Sequence, residues 1–355
     1  MYRFIYHKWW KVLTLGLLLY VFIVGFLVPL KPGILSVSKM QIERGVPFKV
    51  DVITYNTQWD DQGEISAYFK YDSTHLWAVP GIILNDRRNL SLSGVLPAWK
   101  SSFKSEFDDL TLIIHHKRDG FLILPSAFIG LGPSDGQEPS WTTEIPEYGE
   151  WTWQFPFQAI LYETIRNTFF HVAIWMAMFV LLVVSLVYSI KYLISRDTVY
   201  DAVASSFAYV AVVWGTMGMI TGSVWAKATW GTYWTNDPKL NMSAVAMMIF
   251  LAYTILRGSI SDEDRRAQLS SAYNIFAFLA MIPLVFIIPR LSSMSSMHPG
   301  NGGNPALGGE DLDHTLGLIF YPAIIAYTFL GVWMASLLFR LRKIEIHRIY
   351  SKLKK

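Results

Sequence analysis

Six apolar stretches of the chain carry no Asp, Glu, Lys or Arg: residues 12–30, 168–190, 203–225, 240–256, 272–289 and 316–339. Each is close to the ~20 apolar residues that carry an α-helix across a hydrocarbon core about 30 Å thick. The pattern predicts six transmembrane helices. Between the first and second of them the periodicity changes. Runs such as Phe48 to Tyr55, Ile65 to Tyr71, Leu110 to Ile114 and Gly120 to Leu124 are β-branched or aromatic, partly alternating, and separated by Asp/Gly or Asn/Asp turns. They predict a small β-sandwich-like domain over residues 31–128. Residues 129–156 are rich in Gly, Pro and Trp and form a linker back to the membrane, with Trp151 and Trp153 as interface anchors. From Phe157 to Phe170 apolar residues recur at three- and four-residue spacing, which predicts an amphipathic surface helix.

The expected architecture is an α-helical polytopic membrane protein with an inserted extracytoplasmic β domain. Residues 1–30 hold the N-terminus and first span, 31–128 the β domain, 129–167 the linker and surface helix, 168–345 a five-helix core, and 346–355 a basic tail. Arg3, Lys8 and Lys11 precede the first span, as in a signal peptide. The run ends Phe-Leu-Val-Pro-Leu-Lys rather than in small residues, so a retained span is expected.

Composition agrees: 52% of the 355 residues are hydrophobic and 16% charged. The net charge of +3 is too small to suggest a nucleic-acid partner, but its placement orients the chain. Segments 1–11, 191–202, 257–271 and 340–355 share one side and hold 3, 2, 3 and 7 Lys/Arg residues; loops 226–239 and 290–315, on the other side, hold two and one. By the positive-inside rule both termini are cytoplasmic and residues 31–167 extracytoplasmic. Cysteine is absent, which excludes disulfides and thiolate chemistry. No G-x-x-x-x-G-K-[ST] loop occurs, so the chain is not expected to hydrolyse ATP, and no nucleophile is placed beside a base.

Candidate chemistry lies at the outer ends of the helices. No acidic or basic side chain is expected to be buried in the spans, as an ion or proton relay would require. His171 tops the second span, and His298 and His314 lie in the loop between the fifth and sixth. His171 alone would read as a capping or interface residue. His115-His116-Lys117-Arg118-Asp119-Gly120 invites a metal reading, but reads better as a hairpin tip whose polar residues face water. Loop 225–239 places Trp225, Trp230, Tyr233 and Trp234 within ten positions, followed by Asp237, more than an interfacial belt needs. A flat aromatic ligand with acidic tails would account for the whole set. Ring-faced side chains would pack on it, two imidazoles would take the axial positions of an iron, and Arg166, Lys227, Lys239 or Arg290 would pair with carboxylates. Haem is such a molecule.

The segment from Ile220 to Asp237 resembles the tryptophan-rich WWD signature of the haem-handling proteins of cytochrome c maturation (CcmC, CcmF and CcsA), most closely CcmC. Phe170-His171-Val172, with Arg166 before it and Ile174-Trp175 after it, is similar to that family's first haem-ligand site; Met297-His298-Pro299-Gly300 is similar to its second. The likeness covers roughly residues 160–345 and the first span. It implies a protein of the bacterial inner membrane that holds haem b at the outer face with His171 and His298 as axial ligands, His314 being the fallback for the second. It further implies presentation of that haem to a CcmE-like chaperone, in concert with CcmA/CcmB-like ABC transporter subunits. Trp225, Trp230, Tyr233 and Trp234 are then expected on the haem faces, and Arg166 and Lys239 as propionate partners. Asp237 is expected to tie the loop through backbone hydrogen bonds, since a bare carboxylate would repel propionates. Asn236 stands where the family pattern has a third Trp, and an insertion of about 120 residues that carries the β domain stands where the family has a short loop. Two other readings stand beside this one: a haem-lyase or haem-channel subunit of another assembly route, which would normally have more spans and further histidines in the bilayer, and a general multi-span permease.

Overall fold

The computed structural model describes residues 8–61, 64–72, 75–98, 108–132, 139–142, 153–159, 161–291, 296–298 and 312–353. Arg3, Trp151, Pro299 and Gly300, named above, lie outside them. The chain forms two compact units, Val28–Tyr162 and Met1–Leu27 together with Glu163–Lys355.

In the Val28–Tyr162 unit, β1 (Gly33–Val37), β3 (Pro47–Tyr55), β7 (Asn89–Val95) and β6 (Gly81–Leu84) form an antiparallel sheet in that spatial order. A second sheet runs β2 (Gln41–Glu43), β9 (Gly120–Leu131), β8 (Asp108–His116), β4 (Ile65–Lys70), β5 (Leu76–Ala78), with only β2 and β9 parallel. Strand alternation decides what is buried. In β3, Phe48, Val50, Val52 and Thr54 face inward while Lys49, Asp51 and Ile53 face out. Val50, Val52, Leu90 and Leu92 of the first sheet and Phe69, Leu110, Leu112, Ile114 and Phe128 of the second belong to one apolar core.

The turn between β6 and β7 is closed by Asp86, whose carboxylate accepts from the Arg88 and Asn89 N–H groups and from the Asn89 side-chain amide. The amide of Asn89, chiefly, holds that carboxyl below the usual carboxylate range. The β8–β9 hairpin turns at Gly120, whose φ of +71° suits glycine. His116 departs from the expectation of a solvated tip. The alternation that buries Leu110, Leu112 and Ile114 continues one step further, leaving His116 3% exposed and its ring 6.0 Å from that of Trp59.

Among the described residues, the other unit contains six helices long and apolar enough to cross a membrane. They are α1 (Trp9–Leu27), α2 (His171–Ser195), α3 (Thr198–Trp230), α4 (Pro238–Ser259), α5 (Glu263–Ile282), which continues as a π-turn and a 3₁₀ turn to Arg290, and α6 (His314–Leu353). Their starts follow from capping chemistry. Asp197, Asp237 and Asp262 stand at the N-caps of α3, α4 and α5, each accepting a first-turn N–H. The expected surface helix over 157–170 is shorter. Among the described residues of that segment the helix is the 3₁₀ helix Tyr162–Phe169, and the left-handed φ of 55° at Tyr162 stops it from extending toward Phe157.

Helix α3 is the central element. Ala202, Ala204, Ser205, Ser206, Ala208, Ala211, Gly215 and Gly218 are all buried on it, and side chains this small let neighbouring backbones approach closely. A Cβ on Gly215 would collide with Met247 of α4, and one on Gly331 of α6 would lie 2.6 Å from Leu181 of α2. One polar cluster inside the bundle is matched by its own members. Asn274 donates to Ser185 Oγ and Ser189 Oγ at 2.8 Å each, and Ser185 donates to the Ala204 carbonyl.

The expectation that no charged side chain is buried in the spans is corrected. Helices α3 and α4 extend beyond the charge-free windows and bury a bidentate ion pair, with Arg257 Nη1 and Nη2 2.7 and 2.6 Å from the two Asp201 oxygens. Arg342 of α6 donates to Ser205 and lies over the Tyr209 ring at 5.0 Å. Removing one member of such a pair leaves a buried charge uncompensated. Arg257→Met is therefore expected to destabilise the folded protein by about 3–5 kcal/mol, whereas Arg257→Met with Asp201→Leu recovers most of the loss. Thermal unfolding in detergent checks this; a single variant that melts like the parent would contradict it.

Candidate functional site

His171 opens α2 and faces α3. Its Nδ1 lies 2.9 Å from the Gly218 carbonyl and 3.2 Å from Thr221 Oγ1. A carbonyl only accepts, so Nδ1 carries the proton and Nε2 keeps its lone pair for a ligand. The fit is made by absent side chains. A Cβ on Gly222 would sit 2.7 Å from His171 Cε1, and one on Gly218 would sit 2.6 Å from Trp175 Nε1. His171 and Trp175 are four residues apart on α2, as Gly218 and Gly222 are on α3. Such spacing places each pair on one helix face, so two rings seat in a two-glycine notch. The sequence reading missed this notch. Its trace in the sequence is Gly218-x-x-Thr221-Gly222 opposite His171-x-x-x-Trp175.

Helix α3 ends at Gly231, whose φ of +78° makes the left-handed cap and whose N–H donates to the Lys227 carbonyl. The loop then turns into α4 at Asp237, with Pro238 as its first helical residue. Asp237 is 3% exposed. Its Oδ1 accepts from the Lys239 N–H at 2.9 Å, the Leu240 N–H at 3.4 Å and the Ser296 hydroxyl at 2.9 Å, and its Oδ2 accepts from the Met297 N–H at 2.8 Å. The His298 N–H in turn donates to Ser296 Oγ at 3.2 Å. Two segments 60 residues apart in sequence are thus joined at one carboxylate.

The joint brings His298 against His171. Their ring centres lie 6.3 Å apart with planes at 40°. Trp225 lies 5.8 Å and Trp230 6.4 Å from the His298 ring, and the two indoles meet edge to face at 4.9 Å. The other two loop aromatics lie elsewhere. Tyr233 is 62% and Trp234 41% exposed; Lys227 Nζ lies 5.6 Å from the Tyr233 ring centre, and Trp234 Nε1 donates to Asn241 Oδ1. Asn236 accepts from the Asn241 amide at 2.7 Å, a hydrogen bond that an indole in its place could not accept. Arg166 donates to Glu163 at 2.6 Å and to the Gly25 carbonyl of α1 at 2.8 Å, so the structure places it at the end of the first helix. Lys239 occupies the first turn of α4 beside Asp237, and His314 is an exposed residue at the start of α6.

Two imidazoles bound to one metal through bonds of about 2 Å place their ring centres roughly 6 Å apart, and the separation here agrees. Among the described residues no group of three or more His, Asp or Glu side chains could hold a bare ion. Two facing imidazoles could take the two axial positions of a metal that brings its own equatorial nitrogens, and the indoles of Trp225 and Trp230 could pack on the flat apolar body of such a macrocycle.

A family model described as Heme exporter protein C matches residues 152–354. Heme exporter protein C of Bradyrhizobium diazoefficiens is 27% identical over 174 residues, covering 48% of this chain and 63% of that protein, less than two thirds of its length. The protein of the same name from Rhodobacter capsulatus is 25% identical over 201 residues, covering 55% of this chain and 79% of that one. Cytochrome c biogenesis protein CcsA of Prochlorococcus marinus is 33% identical over 85 residues, 24% of this chain and 27% of that protein. The family match takes in α2 to α6 and excludes strands β1 to β9.

The glycine notch makes a direct prediction. Gly222→Ala forces a methyl into the His171 ring and is expected to destabilise by about 1–3 kcal/mol, an overpacking cost. Gly16→Ala, where no atom lies within 4 Å of the added Cβ, is expected to be neutral or slightly stabilising. Melting temperatures of the two variants in one detergent provide the comparison.

Proposed function

The chain belongs to the heme exporter protein C family, and from that premise we propose that it holds haem between His171 and His298 at the outer face of the membrane and presents it to a haem chaperone. Haem handling in cytochrome c maturation is the family's role, and the six apolar helices agree with a multi-pass protein of the bacterial inner membrane. The observation that carries the finer reading is the pair of imidazoles 6.3 Å apart, with the indoles of Trp225 and Trp230 against the second.

In this reading haem b is cargo, and its iron supplies the affinity for two neutral imidazoles. The rest is done by the chain. Gly218 fixes the His171 tautomer through Nδ1–H and presents Nε2, the arrangement by which outer partners orient a ligating histidine. Trp225 and Trp230 supply ring contact and keep water from the iron side. Lys239, at the α4 N-terminus, pairs with a propionate, and the exposed rings of Tyr233 and Trp234 contact the haem edge. Arg166 is assigned to the same outer rim and braces α1 there.

The partners proposed are a CcmE-like chaperone and CcmA/CcmB-like ABC transporter subunits, in a bilayer with both termini cytoplasmic and residues 31–167 extracytoplasmic. The two sheets, which share one core, are read as a sandwich. The protein acts as a holder and donor of haem, without turnover of its own.

Purified protein is expected to show the absorption of a low-spin, six-coordinate b-type haem. His171→Ala and His298→Ala are each expected to weaken that signal or convert it to a five-coordinate one. An unchanged spectrum in both variants would remove these ligands and the proposal with them.

A further inference from the structure

We infer that Asp237, the acid that closes the Trp-rich signature, is the positioning residue for His298, setting the second iron ligand without touching haem. The inference rests on the haem reading above and assigns the signature's carboxylate a task in a different loop.

The hydrogen bonds divide into two sets. The Lys239 and Leu240 N–H groups are the first donors of α4, and accepting from them is ordinary N-capping, for which serine or asparagine serves as well as aspartate. The Ser296 hydroxyl and the Met297 N–H come from across the site. The cap and the Ser296 hydroxyl share Oδ1, and the Met297 N–H needs a second acceptor oxygen, which neither serine nor asparagine has. A carboxylate only 3% exposed also needs such partners to be tolerated, because burying an ionised group without them is costly. The tether ends one residue from His298, whose own N–H continues the chain to Ser296 Oγ.

The two histidines are therefore held by different means. His171 is carried by α2 and oriented by the Gly218 carbonyl, both independent of Asp237. His298 takes its place against Trp225, Trp230 and His171 through the Asp237 tether. Loss of the tether should cost one axial ligand and leave the other.

Asp237→Ser tests this, because serine keeps the helix cap while its hydroxyl is too short to reach Met297 as well. In haem-loaded full-length protein the variant is expected to retain haem through His171. Its ratio of low-spin six-coordinate to high-spin five-coordinate haem should fall about tenfold or more, the effect of losing one hydrogen bond to a charged acceptor. Added imidazole should restore the low-spin spectrum, as it should in His298→Ala, by supplying the missing nitrogen. In haem-free protein, amide exchange in residues 296–298 should accelerate in Asp237→Ser. Ser296→Ala should act in the same direction with smaller size. A wild-type spectrum in Asp237→Ser, alongside a five-coordinate His298→Ala, would overturn the inference and leave the haem site standing. Low-spin haem lost from Asp237→Ser and not restored by imidazole would mean a collapsed pocket, and would also overturn it. If His171→Ala and His298→Ala both keep the parent spectrum, the underlying haem site fails instead.

Discussion

The histidine site depends on the approach of two imidazoles to a separation that one metal can bridge. Neither ring could be there by its own preference. His171 lies against α3 because Gly218 and Gly222 leave room for its ring and for that of Trp175, and because a helix carbonyl accepts its Nδ1 proton. His298 arrives from a segment 60 residues beyond Asp237, held by hydrogen bonds to that side chain. A helix face missing two side chains and one buried carboxylate thus do the positioning, and the indoles of Trp225 and Trp230 fill the space beside them.

That arrangement requires a rigid α3, and the bundle provides one. Small buried residues along α3 let its neighbours pack closely, and the Asp201–Arg257 pair fixes its far end to α4. Gly218 lies 17 residues from Asp201, roughly 25 Å along a helix, so the ion pair and the histidine site occupy opposite ends of one element. In a low-dielectric interior a bidentate guanidinium–carboxylate contact tolerates little displacement, which makes it a fixed reference for helix register. The β unit has its own core, built by alternation along each strand, and the family match does not extend to it.

What could be read from the sequence was whatever is periodic or local. The charge-free windows mark all six helices, since crossing a bilayer demands a long uncharged run. They misplace the helix ends for the same reason: α3 begins at Thr198, ahead of its window, and so buries an Asp201 that the window excludes. Period-two alternation marks β3 and β8, but stopping it at Ile114 hid the burial of His116. In the loop, Gly231 and the Asp237-Pro238 pair carry local signals for a helix end and a helix start, and the expected backbone bonds of Asp237 are present at Lys239 and Leu240. Its bonds to Ser296 and Met297 are long-range and leave no spacing to read. Four aromatic residues within ten positions drew attention to the loop, but only the fold separates Trp225 and Trp230, packed on His298, from the exposed Tyr233 and Trp234.

The central claim is that one iron sits between His171 and His298. Electron–nuclear double resonance on the ferric protein, grown with ¹⁵N-labelled histidine, measures the nitrogen couplings of the axial ligands directly. The account predicts couplings from two histidine nitrogens, with one lost in His171→Ala and the other in His298→Ala. Coupling from a single histidine in the parent protein, or from none, would contradict it.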